Sequence, residues 1–377
     1  MFSFGFSGDD IEADEADLQS GLDQGSSGSA VAQGKDSALP ELVPAQRHEI
    51  SEWIPALPSQ ILYNTLTIDT AEDDAALTIA RRDIYDIRTQ LMAEDSADHE
   101  NEELISGLEQ GDLKPNFYEG GFKTWECALD LAKVVVAENA LSADGDQHVI
   151  ELGAGTAVPS LALFAQLLSR PASSDSKSKK IRLTFADYNA VVLRLVTLPN
   201  LLLTWNHIIN SPSHRTRAEQ GTEAAAEPEA PPAEEEELDI TPDLVTAFQQ
   251  DLANRNITVD FISGAWSPAF VDFVTTTQTQ HQYKQTLILA SETIYAPASL
   301  TPFSETLLQL LRRSAGDEQT QARALIAAKK VYFGVGGGVD EFLAVLGRIG
   351  GDGVEVVQRL DVQSGGVGRV VLGVGLV

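Results

Sequence analysis

The sequence predicts an α/β protein in which a parallel β-sheet is covered by helices on both faces. Two observations lead to this prediction. Five short apolar segments have the pattern of buried strands, and the stretches between them are helix-like in length and pattern. Short apolar strands that alternate with helices are typical of parallel sheets packed between two helical layers.

The predicted elements alternate along the chain. The strand segments are 148–152, 181–185, 257–262, 286–290 and 330–333. Two β-rich segments at the end, 354–360 and 367–372, are close enough in sequence to form a closing antiparallel pair. The helical segments are 125–140, 158–168, 189–205, 242–254 and 302–314.

Three segments differ from this core in composition. Residues 1–45 hold nine acidic residues against one basic residue and few apolar ones, which predicts a disordered tail. Residues 46–115 are predicted to form a helical N-terminal extension, in which Ile79, Ile84 and Ile87 fall near helical spacing. Residues 211–239, rich in acids and prolines, are predicted to be a disordered insertion within the domain 116–377.

Charge and cysteine content exclude several classes of protein. With 26 Lys and Arg against 56 Asp and Glu, the formal net charge is −30. This excess excludes a general nucleic-acid binder and favours a basic partner. A single cysteine, Cys127, cannot form an intrachain disulfide or a thiolate zinc site. No run of about 18 apolar residues predicts a membrane span, and the first residues do not resemble a secretory signal, so we expect a soluble intracellular protein.

The sharpest local signal is the glycine-containing loop at 151–158, directly after the first apolar strand. Gly153 and Gly155 allow a tight turn and a close approach of a ligand to the backbone before the next helix begins. The loop has Val158 where a dinucleotide fingerprint has a third glycine, and it lacks the Gly-Lys-Ser/Thr of a P-loop. A plain strand-to-helix turn remains an alternative.

S-adenosylmethionine is the remaining cofactor that suits this loop. An acid at the end of the first strand, Glu151, suits the cationic part of that cofactor. An acid at the end of the second strand, Asp187, suits the ribose hydroxyls. This ordered pair favours a methyltransferase over a plain turn. The histidines show no metal-ligand spacing, and we expect no metal.

Longer runs of the sequence resemble the protein-histidine N-methyltransferases. The tryptophan, Asp-Tyr-Asn and Ser-Glu-Thr-Ile-Tyr runs separate this family from its sister lysine methyltransferases. The resemblance covers the chain from about residue 115 to the end, apart from the insertions, and it also includes the first residues. The matching runs are 2–6, 116–127, 186–189, 196–200, 262–266, 290–297 and 332–338.

The resemblance implies a class I methyltransferase fold, with a seven-stranded Rossmann-like sheet that is parallel except for an antiparallel C-terminal strand. It implies methyl transfer from S-adenosyl-L-methionine to the tele nitrogen of a histidine, with S-adenosyl-L-homocysteine as the product. The implied partner is a basic protein, number three of the large ribosomal subunit, which links the activity to ribosome biogenesis and translation. A monomer in the cytoplasm and nucleus is expected, without direct nucleic-acid or membrane binding.

The resemblance also implies positions for the cofactor contacts. At Ala265 only the backbone is available, where relatives often carry a larger polar residue. Together with Glu151, which the loop itself suggests, the predicted contacts are Thr124, Trp125, Glu126, Gly153, Gly155, Asp187, Tyr188, Gly264, Ala265, Trp266 and Ser291.

Glu292 and Tyr295 are the candidate catalytic residues. A histidine that accepts a methyl group becomes an imidazolium, and a nearby carboxylate such as Glu292 stabilises that charge. Tyr295 is expected to wall the site or to donate a hydrogen bond. Lysine methylation and a non-catalytic chaperone of a basic ribosomal protein remain alternative functions. Structural alternatives remain for single residues: core anchors at Trp125 and Trp266, a helix-terminal acid at Glu126, a turn cap at Ser291 and a strand-end acid at Glu292.

Overall fold

The computed structural model describes residues 43–69, 76–94, 101–109, 120–141, 145–169, 179–210, 236–276, 283–316, 320–363 and 366–377. The disorder predicted for 1–42 and 211–235 falls outside these residues.

Eleven strands are present in the described residues, and eight of them form the main sheet. The strands are β1 (Gln46–His48), β2 (Gln60–Ile68), β3 (Leu77–Arg82), β4 (Gln147–Leu152), β5 (Ile181–Asp187), β6 (Glu236–Asp239), β7 (Ile257–Ser263), β8 (Gln285–Ser291), β9 (Gln321–Lys329), β10 (Val354–Val362) and β11 (Arg369–Leu376). The main sheet has the order β1-β7-β5-β4-β8-β9-β11-β10.

The directions of the strands confirm the predicted class I arrangement. Strands β7, β5, β4, β8 and β9 are parallel, and the C-terminal strand β11 runs antiparallel to both β9 and β10. Strand β1 adds an eighth, antiparallel strand beside β7. The chain order reverses between β4 and β8, and ligands of such sheets bind outside the carboxyl ends of the strands at this point.

Ten helices longer than three residues accompany the sheets in the described part of the chain: α1 (Ile50–Trp53), α2 (Ile84–Glu94), α3 (Glu102–Glu109), α4 (Glu126–Ala137), α5 (Val158–Ser169), α6 (Ala190–Asn210), α7 (Pro242–Asn254), α8 (Pro268–Thr275), α9 (Pro297–Ser314) and α10 (Val339–Gly350). Helices α8 and α10 were not predicted. Proline at the first turn and a serine cap start α8, since the Ser267 hydroxyl accepts a hydrogen bond from the Phe270 amide at 3.2 Å.

The strands divide the core into two apolar layers. Helices α4 to α7 pack on one face of the sheet, together with Val149 and Leu287. Helices α8 to α10 pack on the other face, together with Ile150 and Ile288. Neighbouring residues of one strand point to opposite faces, so strands covered on both sides read as unbroken apolar runs.

The N-terminal extension is only partly helical, so the prediction for 46–115 is wrong where strands occur. Helices α2 and α3 are present, but Ile79 lies in β3 and not on a helix. Strands β2 and β3 form a second sheet that packs on α6 through Ile61, Tyr63, Ala80 and Leu203. Burial along β2 does not alternate strictly, and polar residues such as Gln60, Asn64 and Thr67 interrupt its apolar pattern, which hid the strand in the sequence.

The prediction that 211–239 is disordered is wrong for its last four residues. They form β6, which pairs antiparallel with β2. The side-chain amide of Gln60 donates to the carboxylates of both Glu237 and Asp239 at 3.1 Å, and the Tyr63 hydroxyl donates to the Glu236 carboxylate at 2.5 Å. Polar partners on β2 therefore allow an acidic run to form an edge strand. Residues 43–45, assigned to the disordered tail, are also ordered and pack against the main sheet.

The fifth core strand was predicted at 330–333, and this assignment is wrong. The strand is β9, whose middle residues are buried alanine, leucine and isoleucine, and it ends at Lys329. Alanine has a low strand preference, which hid this segment in the sequence. Residues 330–333 instead begin the loop that follows β9.

Helix α6 is long and apolar enough to cross a membrane by composition alone, and no other described helix is. Of its apolar window, 78% is buried inside the protein. Its buried residues include Leu198, Leu201 and Leu202, which belong to the larger core cluster. This helix therefore acts as a core helix of the fold.

Candidate active site

The glycine loop after β4 has the backbone conformation that its glycines predict. Gly153 has φ +67° and Gly155 has φ +49°, both in the left-handed region. A Cβ atom added at Gly153 would lie 2.7 Å from Cγ2 of Thr293. The loop after β4 and the loop after β8 are therefore in direct contact. This contact places Glu292, next to Thr293, beside the predicted cofactor loop.

Asp187 joins the ends of two strands. Its Oδ2 accepts a hydrogen bond from the Gly155 amide at 3.0 Å, and its Oδ1 accepts one from the Asn189 amide at 3.1 Å. Each carboxylate oxygen can accept a further hydrogen bond. Asp187 thus holds the glycine loop in place at the end of β5. Tyr188 follows it at the same edge of the sheet.

Glu151 lies beneath the glycine loop and is fully buried. Its carboxylate accepts a hydrogen bond from the Ser160 amide at 3.2 Å, in the first turn of α5. Burial raises the pKa of Glu151 to about 8, the negative charge of Asp187 adds to this rise, and Ser160 opposes it. Glu151 therefore supports the loop from below, and its direct contact with a cofactor remains a prediction.

The N-terminal segment 43–46 closes over the ends of β5 and β7. Gly264 has φ +114°, and a Cβ there would lie 2.6 Å from the carbonyl oxygen of Pro44. The Ala265 amide donates to the carbonyl of Val43 at 3.0 Å, so this donor ties the N-terminal segment to the end of β7, and a contact of Ala265 with a cofactor stays a prediction. A cavity of about 470 Å³ lies between this segment and the β5 and β7 ends, lined by Val43, Pro44, Ala45, Gln46, Tyr188, Asn189, Ala190 and Ser263.

The two predicted cofactor tryptophans have different surroundings. Trp266 is partly buried and makes edge-on ring contacts with Phe270 at 5.1 Å and Phe303 at 6.0 Å. These contacts anchor it in the core and fix its orientation. Trp125 stands directly before α4, with the Lys329 ammonium 5.3 Å from its ring centroid. A cation at that distance stabilises an aromatic face.

The start of α4 is tied both to the glycine loop and to β9. The Thr124 hydroxyl donates to the Thr156 hydroxyl at 3.1 Å. The Glu126 carboxylate lies 3.6 Å from Arg369 and 4.0 Å from Lys329. Glu126 therefore belongs to an ion-pair group as well as to a helix N-terminus. Ser291 is the last residue of β8, and it pairs in register with Ala327 of the neighbouring strand β9. It therefore lies at the edge of the sheet where β8 and β9 end.

Glu292 is the centre of the polar group at the ends of β8 and β9. It has φ +56°, unusual for a residue with a side chain, and its carboxylate accepts a hydrogen bond from the Tyr332 hydroxyl. Burial raises the pKa of Glu292, while the nearby Lys329, Cys127 and Tyr332 act in the opposite direction. Backbone strain held in place by its surroundings is a feature of active sites.

Tyr295, the other candidate catalytic residue, lies in the same loop. Its ring centroid is 6.3 Å from that of Tyr332, in an edge-on arrangement. The loop after β9 packs closely against it, because a Cβ at Gly337 would lie 2.1 Å from the Tyr295 carbonyl oxygen. The structure therefore brings both candidate catalytic residues together with Tyr332.

Three residues of this group were not predicted as site residues: Cys127, Lys329 and Tyr332. Burial raises the pKa of the Cys127 thiol, and the negative charge of Glu292 adds to this effect. Lys329 is buried at the end of β9, and its ammonium acts on Glu292, Glu126 and Trp125. A lysine at the end of an apolar strand is the signal that could have identified Lys329. Misplacing the fifth strand at 330–333 hid that signal.

Within the described residues, no three His, Cys, Asp or Glu side chains are grouped so that they could hold a metal ion. The polar side chains at the strand ends instead lie around the glycine loop. The ring of Trp125 and the buried carboxylate of Glu292 are close to them. The doubly wound sheet, the order of its strands and this site define a methyltransferase of the class I fold.

Comparison with known proteins places the chain in one family of this class. It is 38% identical over 273 residues to Histidine protein methyltransferase 1 of Saccharomyces cerevisiae, covering 71% of this chain and 68% of the yeast protein. It is 36% identical over 278 residues to the Schizosaccharomyces pombe protein of the same name, covering 72% and 70%. The chain belongs to the histidine protein methyltransferase family, as its resemblance predicted, and it is an enzyme that transfers methyl groups.

More distant likenesses complete the comparison. The Bos taurus homologue is 32% identical over 232 residues, which cover 61% of this chain and 49% of that protein. Among solved structures, a class I S-adenosylmethionine-dependent methyltransferase from Listeria monocytogenes has a TM-score of 0.35 at 9% identity, covering 78% of this chain and 68% of the other. A precorrin-6y methyltransferase from Geobacter metallireducens has a TM-score of 0.31 at 11% identity, covering 64% and 88%. No protein-family model matches the chain.

Proposed function

We propose that this enzyme transfers a methyl group from S-adenosylmethionine to the tele nitrogen of a histidine in a basic large-subunit ribosomal protein, number three of that subunit. The observation that carries the proposal is the contact between two loops. Thr293, next to the candidate catalytic Glu292, lies against Gly153 of the predicted cofactor loop. A cofactor on that loop therefore has a carboxylate and two tyrosines within the same small region.

The residues of the site fit S-adenosylmethionine. The left-handed backbone at Gly153 and Gly155 leaves no room for side chains and lets a ligand approach the main chain. Asp187 ends β5 beside this loop and is the carboxylate that we expect to bind the ribose hydroxyls. The cavity of about 470 Å³ beside Tyr188 is large enough for a flat ring system at the adenine end. Trp125, directly before α4, and Trp266, after β7, are the aromatic side chains that we expect to pack on the adenine.

The chemistry needs little from the protein beyond positioning and charge. S-adenosylmethionine, when bound, supplies a methyl group on a positively charged sulfur. A neutral imidazole of the substrate is already a competent nucleophile: as its tele nitrogen gains the methyl group, S-adenosylhomocysteine leaves, and the imidazolium then loses the proton of its other ring nitrogen to water. The Glu292 carboxylate stabilises that positive charge, and Tyr295 bounds the site beside it. The tele nitrogen is the ring nitrogen farther from the main chain, so it reaches deepest into a site at strand ends.

The charge of the enzyme supports a basic substrate protein. A formal net charge of −30 attracts a cationic polypeptide and increases its rate of association. Such a protein is accessible before it is buried in ribosomal RNA. We therefore place the reaction on the free or newly assembling protein, in the cytoplasm and nucleus, with the enzyme acting as a monomer.

Mapping of the modified residue tests this function. Large-subunit ribosomal proteins from cells that lack the enzyme are incubated with purified enzyme and S-adenosylmethionine, and peptides are sequenced by mass spectrometry. We expect one additional methyl group on a single histidine of one basic protein. Methylation of a lysine, or binding of the basic protein without any transfer by an enzyme that binds the cofactor, would contradict the proposal.

A further inference from the structure

The loop after β9 carries an unusual set of exposed apolar side chains. Among the described residues, nine large apolar or aromatic side chains are at least 36% exposed, and three of them lie within five positions. Val331 is 49% exposed, Phe333 is 62% exposed and Val335 is 45% exposed. Exposed apolar groups gathered in one place mark interaction surfaces more often than chance, whereas single ones are common. We call residues 331–335 the apolar loop.

The fold holds the apolar loop in this exposed conformation. Val331 pairs with Gly338 in an antiparallel bridge, and the amides of Val335 and Gly336 both donate to the Tyr332 carbonyl, at 3.4 and 3.2 Å. Only the side chain of Tyr332 turns inward, to Glu292. The backbone is therefore closed into a turn that presents its odd-numbered side chains to solvent.

The apolar loop lies beside the candidate catalytic residues. A Cβ at Gly337 would lie 2.1 Å from the Tyr295 carbonyl oxygen, and one at Gly336 would lie 3.7 Å from the ring of Pro297. The Tyr332 hydroxyl donates directly to the Glu292 carboxylate. A polypeptide that rests on Phe333 is thus next to the place where the methyl group is accepted.

Charge around the apolar loop indicates the kind of polypeptide. Asp340 and Glu341 are exposed at the start of α10, two residues beyond the loop's closing bridge. The basic neighbour Lys330 is paired with Asp361 at 2.7 Å. The surface therefore combines apolar side chains with a negative rim, which complements a basic segment that also carries an apolar side chain.

We propose that the apolar loop is the docking surface for the substrate segment around the acceptor histidine, a basic stretch that places an apolar side chain against Phe333. This inference rests on the proposed function and names the surface that selects the substrate. The interaction contributes to binding and not to the chemical step, because Val331, Phe333 and Val335 carry no polar group that could act on the reacting atoms.

Steady-state kinetics and calorimetry with the full 377-residue chain test the proposal. The probe is purified large-subunit ribosomal protein number three. Phe333→Ser should raise its KM, and its Kd measured with S-adenosylhomocysteine present, by about 10- to 30-fold, as loss of an aromatic hot spot does. The kcat and the affinity for S-adenosylmethionine should not change. Tyr85→Ser is the matched control, since Tyr85 is 65% exposed on α2, and it should behave as the wild type.

A second variant tests the negative rim. Asp340→Asn should slow association and weaken its dependence on salt, without changing kcat. The proposal is overturned if Phe333→Ser leaves both KM and Kd unchanged, or lowers kcat at an unchanged Kd. It is also overturned if the wild type is a dimer that Phe333→Ser separates, or if residues 2–6 of this chain cross-link to position 333.

The two readouts separate this proposal from the proposed function. If the wild type methylates histidine but Phe333→Ser binds the ribosomal protein normally, the docking surface is wrong and the function stands. If the wild type methylates lysine or nothing, the function is wrong, and the Kd of Phe333→Ser still reports on the docking surface.

Discussion

The Tyr332 hydroxyl donates a hydrogen bond to the Glu292 carboxylate, which lies 40 residues earlier in the chain. This bond joins the loop after β8 to the loop after β9. Burial raises the pKa of Glu292, whereas the Lys329 ammonium and the Tyr332 hydrogen bond lower it, and the balance sets the charge of the carboxylate. The proposed stabiliser of the imidazolium is therefore held by a residue that itself has no part in the chemical step.

Replacement of Tyr332 by phenylalanine tests this positioning role. A hydrogen bond to a charged group contributes about 1.5–3 kcal/mol, so Tyr332→Phe should lower kcat by roughly 10- to 100-fold. Affinity for S-adenosylmethionine should be retained. The Tyr332 hydrogen bond lowers the pKa of Glu292, so its loss raises that pKa further. The acidic limb of the pH–rate profile, where Glu292 must be ionised, should then move to higher pH.

Tyr85→Phe provides the control for Tyr332→Phe, because Tyr85 is exposed on α2. It should show the wild-type rate and the wild-type pH profile. A Tyr332→Phe enzyme with lower kcat but an unmoved acidic limb would indicate a purely structural role for this tyrosine.

Glu292→Gln removes the charge and keeps the shape of the side chain. We expect turnover on the histidine substrate to fall by about 10²- to 10³-fold, the scale of one lost electrostatic stabiliser. The melting temperature and the affinity for S-adenosylmethionine, measured by calorimetry, should stay close to those of the wild type. Normal turnover of this variant would leave Glu292 with a structural role alone.

Gly153→Ala tests the contact between the two site loops. Gly334 is the control, since its φ of +79° is close to the +67° of Gly153 but no atom lies within 4 Å of an added Cβ. Gly334→Ala should cost only the backbone strain, about 1–2 kcal/mol. Gly153→Ala should cost roughly 1–3 kcal/mol more because of Thr293, and it should weaken S-adenosylmethionine binding.

Thr293→Ser removes the Cγ2 methyl group that an alanine at position 153 would meet. The double variant should therefore recover part of the stability lost in Gly153→Ala, as measured by denaturant unfolding. Equal losses for Gly153→Ala and Gly334→Ala would show that the loops are not in close contact.

The buried Glu151 predicts how stability depends on pH. Its pKa is about 8 in the folded protein, raised from 4.5. Below pH 4.5 the carboxyl is protonated in both the folded and the unfolded state, so it does not lower the free energy of unfolding. Between pH 4.5 and about 8 the unfolded state increasingly loses a proton that the folded state keeps, so the free energy of unfolding falls as pH rises.

Glu151→Gln should flatten that decline, because glutamine can still accept the Ser160 hydrogen bond but does not ionise. The difference between the variant and the wild type should grow up to about pH 8, with an upper bound of about 5 kcal/mol for the shift of about 3.5 pH units. Urea unfolding at a series of pH values measures it. Parallel curves for the two proteins would contradict the raised pKa.

The part of the fold and site that depends on local signals could be predicted from the sequence. Gly153 and Gly155 sit in a loop whose conformation only glycine adopts readily, and Asp187 ends a largely buried strand whose apolar residues are Ile181, Leu183, Phe185 and Ala186. Such features need no knowledge of distant partners. The family resemblance then added Glu292 and its neighbours as a block.

Features that depend on distant pairing could not be predicted. Strand β6 exists because Tyr63 and Gln60 bind acids about 173 residues later in the chain. The bond between Tyr332 and Glu292 requires the order of β8 and β9 in the sheet, and β9 itself was hidden by its alanines. Local pattern carries no information about which strands become neighbours.

The most direct test of the central claim is amino-acid analysis of the methylated product. Purified enzyme is incubated with methyl-labelled S-adenosylmethionine and purified large-subunit ribosomal protein number three, and the protein is hydrolysed to amino acids. We predict that the label elutes with tele-methylhistidine alone, and that Glu292→Gln reduces it about 10²- to 10³-fold at unchanged cofactor binding. Label on methyllysine, or no label from an enzyme that binds the cofactor, would contradict the account.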